Sequence, residues 1–438
     1  MRTLKNSTEI KKTDHAEPEV SRLKQEVERL SALLEISDYL ASTLDLDELL
    51  LRVMEVTRKQ LNAERCTVFL IDFERDELWS KIAMGVQEEI RFSLDKGIAG
   101  HVARTGEILN IKDAYADPRF NPEVDKKTGY RTRNLLTMPM RNKKNEIIGV
   151  FQVLNKKEGS FTAEDIELLK AISSIAATAI ENASLYDELN QSFVSFVETL
   201  SITLDARDYI TSGHSRRVTL YSVQVARLMR LPKKEIELIR YAALLHDIGK
   251  LGIPEIVLFK NKKLTEEEYN IIKRHAVLSK SILSKIRFQR HLKEIPQIAA
   301  AHHEKIDGSG YPQGLRGDEI PRGGKILALC DVFDALTSRR QYKDRMDIVE
   351  VMDILERETG RSFEPFVVYH FKNITLNVLI EILEFGHKED FKAQDLELLR
   401  NYTLKDLIRI RKQGAENDEE FQVAEIFMYY YQRKYRGE

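Results

Sequence analysis

A helix that has to stop on its own chemistry constrains this chain more than any other feature. Over Tyr241-Ala-Ala-Leu-Leu-His246-Asp247-Ile-Gly-Lys250-Leu-Gly-Ile-Pro254 an apolar helix runs into a His-Asp pair, and Gly249, Gly252 and Pro254 then break it. Neighbouring residues on an intact helix point in different directions. A His and an Asp aimed at one point therefore belong at a frayed helix end. A second stretch, His302-His303-Glu304-Lys-Ile-Asp307-Gly-Ser-Gly310-Tyr311-Pro312, sets two adjacent histidines before a glycine-rich turn where backbone can come close to a ligand. With His214, His275 and Asp331 the C-terminal half holds five His and two Asp suited to a binuclear metal site. Any one of these histidines alone would be read as a satisfied core residue; the set points to metal.

His246-Asp247 and His302-His303-Glu304, with Asp307-Gly-Ser-Gly310-Tyr311-Pro312, closely resemble the HD-GYP phosphodiesterases, a branch of the HD metal-dependent phosphohydrolases. The resemblance covers residues 193–371 and implies an all-α domain that linearises cyclic di-GMP, with continuation to GMP left open. It casts Asp247 as a carboxylate bridging two metals per protomer. His214, His246 and Asp331 would complete one metal, and His275, His302 and His303 the other. Phosphodiester hydrolysis needs a nucleophile at neutral pH and relief of charge on the phosphoryl oxygens, and two metals about 3.5–4 Å apart supply both. Imidazole with carboxylate suits iron, manganese or zinc better than magnesium. The family is associated with iron and manganese, which are the metals expected here.

Lys250, one turn after His246-Asp247, is spaced to set its ammonium on a substrate phosphate and to act with Asp247 in catalysis; the alternative is a solvated surface lysine. The resemblance gives roles to other residues around the ligands. Arg340 and Lys343 match basic positions that grip the phosphates, and Tyr311 matches a tyrosine near a guanine. Gln341 stands where the family usually has Pro, as does Ala276 after the third motif His. Glu304, Asp307 and Asp334 are expected to support the ligands or the turn from behind. Some members carry a third ion on a Glu four residues before the first motif His. That position is Ile210 here, which has no lone pair; Asp205 and Asp208 fall at other angles of the helix and could substitute only where it unwinds near Thr211-Ser-Gly213. Two metals are expected.

At 438 residues the chain predicts two or three domains. A net charge of -2 offers no bulk basic field for duplex nucleic acid. Cys66 and Cys330 lie far apart inside apolar runs, which fits a reducing cytoplasm without a disulfide framework. No apolar run is long enough to span a membrane, and Met1 to Val20 is too polar for a signal peptide, so a soluble cytoplasmic protein is expected.

Residues 1–20 read as a disordered tail. From Ser21 the positions Leu23, Val27, Leu30, Leu33 and Leu34 fall at helical spacing and open a region that runs to residue 165. Within it, Leu46 to Leu61 predicts an amphipathic helix and Gly97 to Gly106 a short one framed by glycines. Thr67 to Asp72, Leu135 to Met140 and Ile147 to Leu154 predict buried strands. Such a mixture on one antiparallel sheet suggests an α+β sensor module. Asn155-Lys156, Phe161 and Asp165 make it resemble a GAF domain, although Ile166 stands where the cyclic-nucleotide-binding members end their motif with Glu. In those members the Lys and Asp brace the fold. The resemblance leaves open a pocket for a small ligand, a cyclic nucleotide among them, or a module that only dimerises. His101 reads as structural.

Thr162 and Asp165 cap a helix on which Leu168, Ile172, Ile175, Ala179, Asn182, Tyr186, Leu189, Phe193, Phe196 and Leu200 recur at alternating spacings of four and three. That heptad seam, over residues 166–200, predicts a parallel two-stranded coiled coil between protomers, with Asn182 setting register. An ordinary core helix would show the same stripe. Beyond it nearly everything reads as helix, including residues 372–438, which the resemblance does not cover and for which Tyr429-Tyr-Tyr431 suggests packing or an interface. The expected whole is a GAF-regulated cyclic di-GMP phosphodiesterase. The alternatives are a cyclic-dinucleotide receptor or scaffold without turnover, and a hydrolase of another ring such as cyclic GMP-AMP.

Overall fold

The computed structural model describes residues 45–80, 89–207, 213–260, 262–338, 344–385 and 390–433, with scattered positions between 27 and 43. It falls into two compact units, residues 1–192 and 193–438. The expected tail and most of the helix from Ser21, including Leu23, Leu30 and Leu33, lie outside the described residues; Val27 and Leu34 are helical and exposed.

The first unit is one antiparallel sheet with helices on both faces. Helix α1 (Leu46–Gln60) is capped by Asp45, whose carboxylate accepts from the Asp47 and Glu48 amides. Strands β1 (Ala63–Asp72), β2 (Glu77–Ser80) and β3 (Ile90–Ser93) follow, then α2 (Gly97–Thr105), β4 (Leu109–Ile111), α3 (Glu123–Thr128), β5 (Leu135–Arg141) and β6 (Ile147–Lys156). Their order across the sheet is β3-β2-β1-β6-β5-β4. Val68 pairs with Phe151 and Phe151 with Met138, which lines up apolar side chains across the three central strands. Strand side chains alternate between faces. One face carries Cys66, Val68, Leu70, Met138 and Phe151 against α1 and the start of helix α4 (Ala163–Arg207). The other carries Phe69 and Val150 against α2. The three long strands match expectation; β2, β3 and β4 have only three or four residues and too little periodicity to read in advance.

Asn155, in the left-handed region at φ 54°, ties strands together by accepting from the Arg133 amide and donating to Glu64 and the Arg131 carbonyl. Lys156 pairs with Asp165, which also accepts from the Thr162 amide at 2.7 Å. His101 pairs with Glu107.

Helix α4 is continuous over 45 residues, and its apolar seam is divided among three environments. Ile172 lies in the first unit's core, with Leu168, Ile175 and Ala179 packed against it. Phe193 and Leu200 pack on the second unit's core beside buried Val197 and Leu204. Asn182, Tyr186, Leu189 and Phe196 remain exposed, as does Leu185. Much of the seam is thus used within one chain.

The second unit is helical among its described residues: α5 (His214–Leu228), α6 (Lys233–Leu245), a 3-10 turn (Ile248–Gly252), α7 (Glu255–Leu258), α8 (Glu266–Leu283), α9 (Ile295–Ala300), α10 (Arg322–Thr337), α11 (Ile348–Arg357) and α12 (Pro365–Lys372). The C-terminal stretch adds α13 (Leu376–Leu383), α14 (Ala393–Leu399), α15 (Leu404–Gln413) and α16 (Asp418–Gln432). These last helices share the core of the rest through Leu379, Leu404, Leu407, Val423, Phe427, Tyr430 and Tyr431. Arg345 pairs with buried Glu384 and donates to the Leu383 and Tyr431 carbonyls, while the Tyr431 hydroxyl donates to the Met346 carbonyl at 2.7 Å. Tyr430 and Tyr431 are packing residues; Tyr429 is exposed.

Candidate metal centre

Four short-range devices carry the site. Helix α6 ends at Leu245, so His246 leaves in a helical conformation and Asp247 turns to φ -95° and ψ 5°. That change of direction lets two adjacent side chains converge. The 3-10 turn is pressed onto α8 with no room for a side chain at Gly249, where a Cβ would stand 1.9 Å from the His275 carbonyl oxygen. Thr265 and Glu268 form a reciprocal capping box that starts α8 and carries it to His275. Past α9, His302 and His303 leave on a turn whose Gly310 is equally tight against backbone of His303, Glu304 and Lys305.

The chain brings His214, His246, Asp247, His275, His302, His303 and Asp331 together in one place. Donor atoms of His275, His302 and His303 lie within 4.8 Å of one another, and so do those of His214, His246 and Asp331. Asp247 stands between the two triads. Its Oδ1 is 3.5 Å from His275 Nε2, and its Oδ2 is 3.4 Å from His246 Nε2 and 3.9 Å from His214 Nε2. Asp331 Oδ1 is 3.1 Å from His214 Nε2 and 3.9 Å from His246 Nε2.

The hydrogen bonds behind the rings decide what the front can do. Nδ1 of His246, His275 and His302 each lies 2.6–2.7 Å from the carbonyl three residues earlier, Ala243, Ile272 and Ala299, so these nitrogens donate. Nε2 is then the lone-pair nitrogen and faces the centre. His246 Nε2 is buried without a hydrogen-bond partner, and the Nε2 atoms of His275 and His302 face each other at 3.2 Å. Buried lone pairs that converge in this way fit a cation, and imidazole with carboxylate is a donor set for a first-row divalent metal.

Charge in the pocket follows from burial and neighbours. Burial alone would raise the Asp247 carboxyl, but Lys250 and the surrounding His246, His275 and His302 hold it well below the usual carboxylate range. Burial opposes the charged form of His214, yet Asp331 and Asp334 push it up to about 10. Burial and the neighbouring His303 keep His302 well below its ordinary value, and burial takes His303 down to about 4.

The residues expected around the ligands divide into those seen at the site, those bracing loops and those not described. Lys250 Nζ is 2.8 Å from Asp247 Oδ2. The Tyr311 ring stands 4.6 Å from the His303 ring. Asp334, buried, accepts from His214 Nδ1 at 2.8 Å and from Arg217 Nε at 2.7 Å. Glu304 accepts from the Gln313 and Leu315 amides and braces the glycine-rich turn. Asp307 accepts from the Ser309 amide and hydroxyl and pairs with Arg361. Arg340, Gln341 and Lys343 lie outside the described residues, as do Asp208 and Ile210 and the side chain of Asp205.

Two supports were not anticipated. Arg217, three residues after His214 on the same helix, fixes Asp334; that spacing on one helix face was the available signal. Ser279, four residues after His275, accepts from the Gly249 amide and donates to the His246 carbonyl.

Residues 45–180 match the GAF domain family and residues 198–367 the HD domain family. A 3'3'-cGAMP-specific phosphodiesterase 2 of Vibrio cholerae is 39% identical over 47% of this chain and 39% of its own length. A cyclic di-GMP phosphodiesterase of Thermotoga maritima is 38% identical over 47% of this chain and 54% of its own. The cyclic di-GMP phosphodiesterase response regulator RpfG of Xanthomonas campestris is 41% identical over 38% of this chain and 44% of its own. The chain spans about half or less of the length of these curated relatives.

Proposed function

We propose that this chain, a GAF domain followed by an HD domain, is a metal-dependent phosphodiesterase that opens cyclic di-GMP to its linear dinucleotide. One observation carries the reading: two donor triads meet across a single ionised carboxylate, Asp247. His214, His246 and Asp331 would hold one divalent ion, His275, His302 and His303 a second, and Asp247 both, with iron or manganese the fitting metals. When bound, such a pair supplies a nucleophile at neutral pH and neutralises charge on a phosphoryl oxygen.

The protein's own part is positioning and charge. Carbonyls behind His246, His275 and His302 and the Asp334–Arg217 pair behind His214 hold the rings rigid before substrate arrives. Lys250, beside the meeting point of the triads, is placed to take up charge developing on the phosphate. Tyr311 offers a ring to a base next to His303. Arg340 and Lys343 are proposed as further phosphate contacts from the sequence pattern alone.

The exposed stripe Leu185, Leu189 and Phe196 on α4 supports a parallel homodimer through which the GAF domain, with or without a small ligand, acts on turnover. No described helix is long and apolar enough to cross a membrane, and both cysteines are buried free thiols, which supports a cytoplasmic setting.

The test is incubation of manganese- or iron-loaded protein with cyclic di-GMP and chromatography of the products. Linear dinucleotide is expected, with its rate largely lost in Lys250→Ala while metal is retained. Recovery of intact ring throughout would refute the reading. Two relatives named as 3'3'-cGAMP-specific favour a second reading, that ring as substrate, which the same assay separates by relative rate.

A further inference from the structure

Helix α8 turns His275 inward and carries a second constellation on its outer side. Lys273 Nζ stands 4.6 Å from the centre of the Tyr269 ring and 5.6 Å from that of Tyr311. Tyr311 in turn stands 4.6 Å from His303 at an interplanar angle of 34°. Rings and ammonium therefore form a continuous run of contacts from His303 through Tyr311 and Lys273 to Tyr269. His214, His246, Asp247, His275 and His302 are buried, whereas His303, Lys250, Tyr311 and Lys273 are partly exposed and Tyr269 is 46% exposed. A substrate has to arrive on the side of His303, and this run flanks that side.

A lysine lying against two tyrosine faces is held by the attraction of a cation to aromatic π-density, which fixes an otherwise flexible side chain. Lys273 covers one face of the Tyr269 ring, and a side chain 46% exposed leaves further ring surface on which a nucleobase can stack with the ammonium beside it to read the base's edge. Guanine presents two acceptors, N7 and O6, where adenine presents N7 and an amino donor. An ammonium has donors only. Lys250 lies against Asp247 where a phosphate would sit, while Lys273 lies against the Tyr311 ring. We propose that Tyr269 and Lys273 form the purine subsite of this centre, Tyr269 stacking the base and Lys273 selecting guanine over adenine. The proposal rests on the phosphodiesterase reading and adds the choice of base to it.

Lys273→Met keeps side-chain length and removes the donor; Lys273→Gln installs the group that pairs with the adenine edge. In the metal-loaded full chain, the kcat/KM preference for cyclic di-GMP over cyclic di-AMP should fall roughly tenfold in Lys273→Met and further in Lys273→Gln. Tyr269→Ala should raise KM for both rings about tenfold without changing the preference. Calorimetric binding of guanosine and adenosine monophosphate to the same variants should follow the same order independently of turnover. An equal loss on both rings would overturn the proposal and make Lys273 a phosphate contact; an unchanged preference in both Lys273 variants would overturn it outright. If the wild type opens no ring dinucleotide, the phosphodiesterase reading falls, and the monophosphate titrations alone decide whether Lys273 reads guanine.

Discussion

Gly249→Ala tests how closely metal geometry depends on one missing side chain. The added Cβ would stand 1.9 Å from the His275 carbonyl oxygen and 2.5 Å from the Ser279 amide nitrogen, both backbone atoms of α8. Ordinary contact begins near 3.4 Å, so the turn bearing Asp247 and the helix bearing His275 must part by about 1.5 Å. The Gly249 amide would lose its 2.8 Å bond to Ser279, and the 2.7 Å bond from Ser279 to the His246 carbonyl would go with it. Two buried hydrogen bonds at about 1 kcal/mol each and an overpacking term of about 1–3 kcal/mol amount to about 3–5 kcal/mol. For a unit of this size that lowers the melting temperature by about 10 °C. Misplacement by about 1 Å also costs roughly a hundredfold in rate. Thermal melts, elemental analysis and the ring-opening assay read the three effects together. Ser279→Ala, which removes the bonds without the clash, should lose about 2 kcal/mol and keep its metals. Wild-type stability and metal content in Gly249→Ala would refute the claim that the two elements are held at contact.

Asp334→Asn should cost about 1–3 kcal/mol, because it replaces the buried carboxylate that accepts from His214 and Arg217 by a neutral amide. It should also weaken metal binding about 10–100-fold through His214, measured by competition with a chelator. Leu189→Glu with Phe196→Glu should split the proposed dimer in sedimentation without unfolding either unit, since both side chains are exposed; Ile175 is unsuitable because it packs on the first unit's core. Glu64, bonded to Arg133, Asn155 and Tyr130, has its carboxyl pulled down from 4.5 to about 2. Its stabilising effect is complete above pH 4.5 and disappears as pH falls through about 2. Glu64→Gln should therefore lower first-unit stability at pH 7 by less than about 1 kcal/mol, the group being one-third exposed, and match wild type in acid melts.

The convergence of the donor residues was legible because its signal is local. His246-Asp247 at a helix stop and His302-His303 before a glycine turn are constraints that few chains satisfy by chance, and the structure brings the expected donors together. The long strands and capped helices were legible for the same reason. The short strands β2 to β4 were not, because pairing with neighbours rather than their own pattern makes them strands. The seam on α4 shows a second limit. A stripe reports that a helix face is apolar, not what covers it, and Phe193 turned out to meet Tyr241 and Phe288 of its own chain. The C-terminal helices were opaque in role until Arg345, Glu384 and Tyr431 tied them to the segment after α10. Lys273 and Tyr269 could be seen only once α8 was laid beside Tyr311.

The count of metal ions per chain tests the two-triad site most directly. Elemental analysis of anaerobically purified full-length protein should give two ions per chain, and fewer than one in Asp247→Ala, where the shared carboxylate is gone. Ile210 offers no lone pair for a third. A count near three in the wild type, or two retained in Asp247→Ala, would contradict the account.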